Sequence, residues 1–158
     1  MEFGMFHESP WSRGQTESET FDPSFEQIDA AERCGLDVMW LAELHTVPTR
    51  SVLSAPLDVT TAIATRTSRI KIGTAVQVLP LCHPLRIAEE AATVDQISHG
   101  RLILGSAAVG SRAPFRPTVY AESQERFAET LDIIKRACLC QSQLRWLVKT
   151  VREKTCRC

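Results

Sequence analysis

Four short apolar runs recur along this chain at nearly constant spacing, and that repeat limits the fold more than any other feature. They open near Phe3, Leu36, Ile70 and Leu102, about 33 residues apart each time. The runs are Glu2-Phe-Gly-Met-Phe6, Leu36-Asp-Val-Met-Trp-Leu41, Ile70-Lys-Ile-Gly-Thr-Ala75 and Leu102-Ile-Leu-Gly105. Each has the length and composition of a strand. Helical patterns fill the gaps. Asp22 before Pro23 predicts a helix start, and Phe25, Ile28 and Ala31 follow at helical spacing to a stop at Gly35. A second helix is expected from Leu57 to Thr67. A third begins at Pro84, carries Ile87, Ala91, Val94 and Ile97 on one side and closes at Gly100. The fourth, from about Ala121 to Ala137, places Phe127, Leu131 and Ile134 on one face and Glu122, Glu125 and Glu129 in its early turns, where the helix dipole favours acid.

Strand and helix alternating four times imply a parallel sheet with right-handed crossovers, either doubly wound or a barrel. A dinucleotide-binding sheet carries G-x-G-x-x-G directly after its first strand, and Gly4-Met-Phe-His-Glu-Ser9 does not match it. The pattern therefore predicts an α/β fold, a partial TIM barrel of about four βα units over residues 1–137. Four parallel strands should end near Phe6, Leu41, Ala75 and Gly105, with the helices on one face. A complete barrel needs roughly 200 residues or more, against 158 here, so a truncated barrel is expected.

Composition removes several function classes. Hydrophobic residues make up 44% of the chain and charged residues 23%, which suits a folded globular domain. Eighteen basic against nineteen acidic residues, with no Lys/Arg run, argue against a nucleic-acid partner. No apolar stretch approaches the roughly 20 residues of a membrane span, and residues 1–14 lack the basic and apolar regions of a signal peptide. A cytoplasmic protein is expected. Cys34 and Cys82 stand apart, whereas Cys138, Cys140, Cys156 and Cys158 crowd the tail. That distribution is no disulfide framework, and C-x-C pairs are not the usual C-x2-4-C zinc spacing, so no metal is expected.

In a barrel the chemistry sits in the loops after the strands. The second such loop contains Glu43 and His45, a carboxylate and an imidazole two residues apart, the groups used for proton transfer near neutral pH. Residue types alone make such a pair more often a surface feature than a catalytic one. Gly105-Ser-Ala-Ala-Val-Gly-Ser111 has glycines at phosphate-loop spacing but no lysine, and Pro114 and Pro117 stand where a helix would begin. A glycine-rich loop whose backbone approaches a flat ligand fits it better. His83 reads as an extended residue before a helix-starting proline, His7 as the end of strand one, and His99 as a charge near a helix C-terminus.

Read together and in order, these segments resemble the luciferase-like flavin-dependent monooxygenase family. The resemblance rests on Met1-Glu-Phe-Gly-Met-Phe6, on Cys34-Gly-Leu-Asp-Val-Met-Trp-Leu-Ala-Glu43 with His45, and on Ile72-Gly-Thr-Ala-Val-Gln-Val-Leu-Pro80 with His83-Pro84-Leu-Arg86. It rests most on Ala88-Glu-Glu-Ala91 through Asp95-Gln-Ile-Ser98 and Gly100-Arg101 to Gly105, and continues through Arg126-Phe127 to Ile133-Ile134. It implies a TIM barrel binding reduced FMN, or in some relatives F420, at the C-terminal mouth. Dioxygen and a small organic molecule would be the substrates, with a flavin reductase supplying the cofactor. It also implies a non-proline cis peptide at Ala75-Val76 beneath the flavin, and flavin contacts from Gly105, Ser106 and Ala107. Family members commonly carry Glu-His-His after strand two, but here Leu44 replaces the first histidine while Glu43 and His45 remain as the catalytic candidates. Ala108 stands where luciferase offers an arginine to the flavin phosphate.

The basic, cysteine-dense stretch 138–158 departs from the family, although Leu144, Leu147, Val148 and Val151 make a helical stripe. The resulting expectation is a shortened flavin-dependent oxidoreductase with weak or no activity alone. A non-catalytic flavin-binding or partner subunit, or an F420-dependent dehydrogenase, is the alternative, and a homo- or hetero-oligomer is compatible with either.

Overall fold

The computed structural model describes residues 1–47, 49–108 and 121–139. The second half of the glycine-rich loop, with Gly110 and Ser111, and nearly all of the 138–158 tail lie outside the described residues. The chain runs β1 (Gly4–His7), α1 (Glu17–Arg33), β2 (Val38–Leu41), α2 (Pro56–Arg66), β3 (Lys71–Thr74) and β4 (Gln77–Val78). A single 3-10 turn (Leu79–Leu81), α3 (Pro84–Ile97), β5 (Leu102–Ile103), β6 (Ser106–Ala107) and α4 (Ser123–Leu139) follow.

β1, β2, β3 and β5 form one parallel sheet in that order. Gly4 to His7 pair with Val38 to Leu41, Val38 to Leu41 with Lys71 to Thr74, and Ile72 and Gly73 with Leu102 and Ile103. Each new strand adds to the same edge. Successive helices also touch, α1 against α2, α2 against α3 and α3 against α4, which puts them in one layer rather than on alternate faces. The result is the wall of a parallel α/β barrel, as the 33-residue repeat predicts. β4 and β6 pair with each other as a separate two-stranded parallel ribbon, which the sequence pattern does not announce.

Side-chain alternation sorts the sheet into two faces. Met5, Met39, Leu41 and Ile72 point to the helices and pack with Ile28, Ala31, Ile63 and Ala64. Farther along, Leu102 and Leu104 pack with Ile87, Ala91 and Val94 of α3 and Ile134 of α4. The opposite face carries Phe6, 54% exposed, and Trp40. The Trp40 indole lies across both neighbouring strands because these present glycines. A Cβ at Gly73 would fall 2.4 Å from its ring, and one at Gly4 would fall 3.0 Å from its Nε1.

Helix α1 starts earlier than Asp22-Pro23 suggests. The Thr16 hydroxyl accepts from Glu19 N (3.2 Å) while the Glu19 carboxylate accepts from Thr16 N (2.7 Å), a reciprocal capping box that starts the helix at Glu17. Pro23 then lies inside the helix on its exposed side. Glu19, whose carbonyl loses its helical partner to Pro23, is an exposed residue, so the proline falls on the side of the helix where a lost hydrogen bond costs least. The other three helices begin within two residues of their expected starts.

Below the sheet, at the N-terminal ends of the strands, Arg101 fastens three elements. Its Nε donates to Ser98 O (2.8 Å), Nη1 to Thr67 Oγ1 (2.8 Å) and Ile70 O (2.9 Å), and Nη2 to Ala64 O (2.8 Å) and Thr67 O (3.0 Å). Four of these acceptors are carbonyls at the C-termini of α2 and α3 and the entry to β3, and the fifth is the Thr67 hydroxyl, so one cation satisfies groups that helix ends leave without partners. Arg101→Ala should lower unfolding free energy by about 3 kcal/mol in urea titrations, and Arg101→Lys should restore only part, because an ammonium cannot reproduce the fork.

Candidate functional site

The opposite, C-terminal ends of the strands carry the polar residues. After β2, Ala75 N donates to Leu41 O (2.6 Å), but Val78 N donates to the Glu43 side chain, at Oε2 (2.9 Å), rather than to β2 backbone. Glu43 is a carboxylate with a 2% exposed side chain, and its Oε1 lies 2.6 Å from Nε2 of His45, whose side chain is 26% exposed. Burial raises the Glu43 carboxyl above its ordinary range, and the bonds from His45 and Val78 only partly oppose that. The pair thus joins a buried carboxyl to an imidazole that solvent reaches. Between them Leu44 is half-buried, its N–H donating to Leu53 O (2.9 Å).

After β3 the Ala75-Val76 peptide is cis, as the resemblance implies. The chain then enters β4, with Gln77 opposite Ser106 and Val78 opposite Ala107. Gly105 makes this possible. Its carbonyl accepts from Gln77 N (2.8 Å) and from Thr74 Oγ1 (2.7 Å), and a Cβ at this position would fall 2.1 Å from Thr74 O. No side chain fits there. Ser106 and Ala107, expected in a loop, are held in β6 by this pairing.

The loops after β1 and β2 brace each other. Val52 N donates to Ser9 O (3.2 Å), the Ser51 hydroxyl to Glu8 O, and Pro10 bridges to Ser51. His7 closes β1 as a buried imidazole, pushed below its ordinary pKa by desolvation. On the other flank, burial and the nearby Glu43 and Glu90 carboxylates raise the Cys82 thiol, whose sulfur takes a long hydrogen bond from Gln77 Nε2 (3.8 Å). That thiol stays protonated near neutrality and is a poor nucleophile.

Four buried side-chain atoms, His7 Nε2, Ser9 Oγ, Gln77 Oε1 and Ser106 Oγ, find no hydrogen-bond partner among the described residues. All four stand at or beyond the C-terminal ends of the sheet strands, none at the Arg101 end. Buried polar groups are normally paired, so their concentration here marks an end of the molecule built for something other than stability.

The structure therefore brings the expected residues into one region. Glu43 and His45 touch, Glu43 reaches the β4 segment that follows Ala75 and Val76, and Gly105, Ser106 and Ala107 pair with that same segment. Sequence reasoning missed Thr74, Gln77 and the Val78 N–H. Gln77 was the one visible signal, an amide interrupting the apolar run Val76-Gln-Val-Leu79.

Two outcomes follow. Gly105→Ala should cost about 2 kcal/mol or more of stability in thermal or urea melts, because the β-carbon meets backbone rather than a side chain that can move aside. Glu43 has a carboxyl raised in the folded state, so its ionisation is costlier folded than unfolded. That favourable contribution is present at acid pH and lost as pH rises through the folded pKa. Glu43→Gln should therefore gain stability relative to the parent as pH rises from the ordinary carboxylate range through the raised folded pKa, read as the pH dependence of the difference in melting temperature.

Residues 1–145 match the luciferase-like monooxygenase family. The oxygenase component of flavin-dependent trigonelline monooxygenase from Acinetobacter baylyi is 33% identical over 68% of this chain and 30% of its own length. The alkanal monooxygenase beta chain of Photorhabdus luminescens is 33% identical over 87% of this chain and 43% of its own. Among solved structures, the oxygenating constituent of 3,6-diketocamphane monooxygenase from Pseudomonas putida, a type II Baeyer-Villiger monooxygenase in complex with FMN, superimposes with a TM-score of 0.71. It is 26% identical and is matched over 85% of this chain and 38% of that one. The chain thus spans less than half the length of these relatives. The repeat, the one-sided helix layer and the match over residues 1–145 agree, and the chain belongs to the luciferase-like monooxygenase family.

Proposed function

We infer that this chain supplies one wall of a reduced-flavin site, in a monooxygenase that uses dioxygen on a small organic substrate. The observation that carries this is the buried Glu43, joined to His45 on one side and to the β4 segment on the other, at the C-terminal mouth of a luciferase-like barrel wall. Main chain at Ala75 and Val76, with Gly105, Ser106 and Ala107, would hold the flat ring system, because the close contact of Gly105 with Thr74 O brings these two backbone segments side by side at the mouth. The orphaned polar atoms at this end fit a polar, flat ligand better than an apolar one. Bound reduced FMN would supply the activation of dioxygen. The protein's share is then to seat the ring, limit water and move a proton. His45, partly exposed and 2.6 Å from Glu43, is the group suited to the last task.

The absence of a histidine at Leu44 supports a second reading, a flavin-binding partner subunit without turnover. Anaerobic titration with reduced FMN, followed by oxygen uptake coupled to product from a panel of small aldehydes and ketones, separates the two. The monooxygenase reading expects saturable binding and product. His45→Ala should then cut the coupled rate by about 10²- to 10⁴-fold with little change in flavin affinity. Binding without product would favour the partner subunit, and binding of F420 in place of FMN would favour a dehydrogenase. Absence of any flavin binding would sink both flavin readings.

A further inference from the structure

The main ladder between β2 and β3 ends where Ala75 N meets Leu41 O, and the chain then leaves the sheet to build the β4–β6 ribbon. A strand that leaves a sheet strands its amides. Here the Val78 N–H, which faces β2, is taken by Glu43 Oε2 at 2.9 Å, so the carboxylate acts as a side-chain rung where backbone pairing stops. The other oxygen of the same carboxylate holds His45 Nε2 at 2.6 Å. One planar group thus fixes two things at once, the height of β4 relative to β2 and the orientation of the imidazole relative to β4. It does so almost fully out of solvent, where a hydrogen bond to carboxylate is strong and an unmet amide is costly.

We propose that Glu43 is a positioning residue, a tether that locks the β2 loop to β4 through Val78 N–H and thereby fixes His45 relative to β4. It is not the group that exchanges protons with substrate. His45 is a near neighbour in sequence, but the contact with Val78 is not a product of sequence spacing. Val78 lies 35 residues from Glu43, so the contact registers two βα units against each other. β4 has only Ser106 and Ala107 as strand partners, and without the tether nothing described here holds its other edge. The functional half of this proposal rests on the flavin site inferred above, whereas the tether itself does not.

The test compares Glu43→Gln, whose amide oxygen can still accept from Val78 N–H, with Glu43→Ala, which cannot. Hydrogen exchange by NMR reads the Val78 amide directly, with the Ile72 amide in β3 as the internal control against general loosening. The tether expects Val78 exchange to accelerate at least tenfold relative to Ile72 in Glu43→Ala and to stay within about threefold of the parent in Glu43→Gln. Reduced-FMN affinity should follow the same order, weakened about tenfold or more in the alanine variant and rescued in the glutamine variant. The pH profile of turnover should shift in Glu43→Gln even though its flavin affinity does not, since the ionisable carboxyl bonded to the imidazole is replaced by an amide that does not titrate, and a purely structural role would not split the two. Unchanged Val78 exchange in Glu43→Ala, or equal damage in both variants, overturns the proposal. Exchange that moves as expected while neither variant alters flavin binding upholds the tether and removes the flavin reading instead.

Discussion

The site depends on the bare backbone of Gly105. Its carbonyl receives both Thr74 Oγ1 and Gln77 N, and its α-carbon lies so close to the Thr74 carbonyl that a methyl group there would overlap it. This contact is what lets β5 pass into β6 and lets β6 capture β4. Everything placed on the ribbon inherits the constraint, including the Val78 amide that Glu43 holds and the Ser106 and Ala107 backbone beside it. A barrel wall without that glycine could still pair its four main strands. It could not turn the ends of β3 and β5 into a second, smaller ladder across the mouth.

The two ends of the wall are built on different terms. At the N-terminal end, a single guanidinium meets five acceptors from α2, α3 and the entry to β3, and burial is matched by hydrogen bonding. At the other end, four buried polar atoms lack partners among the described residues and a carboxyl is raised by desolvation. Desolvation acts at both ends, since burial also raises the Asp95 carboxyl and lowers Arg101, but the unpaired buried polar atoms found among the described residues gather at the C-terminal end, which fits the division of labour of a βα barrel.

Much of this was legible in the chain because strand and helix periods differ and repeat. The strand ends at Leu41 and near Ala75 follow from apolar runs, and the third helix from Ile87, Ala91 and Val94 with Gly100 in a left-handed turn after it. The start of α1 was misjudged because Asp22-Pro23 is a strong local signal and Thr16-Glu17-Ser18-Glu19 a stronger one, whose two bonds act together. The β4–β6 ribbon was not legible, since two-residue strands carry no period. Glu43 and His45 were visible as residue types, but their contact depends on side-chain direction, and the bond to Val78 joins positions 35 apart through nothing that sequence spacing encodes.

Leu44 gains a physical meaning from this geometry. Along residues 43–45 the backbone turns so that Glu43 faces inward to β4, His45 folds back onto the same carboxylate, and Leu44 spends its amide on Leu53 in the loop that follows. The two oxygens of Glu43 meet Val78 and His45, and Leu44 takes no part in either contact. Leucine at 44 offers no imidazole of its own and leaves the Glu43 linkage to Val78 and His45 intact. Of the imidazoles at this end, His7 is buried without a hydrogen-bond partner at Nε2 among the described residues, and His45 is the one coupled to a buried carboxyl. On the reading proposed above, His45 is the imidazole that a proton relay through this loop would use, and its orientation depends on how firmly Glu43 is held between the β2 loop and β4.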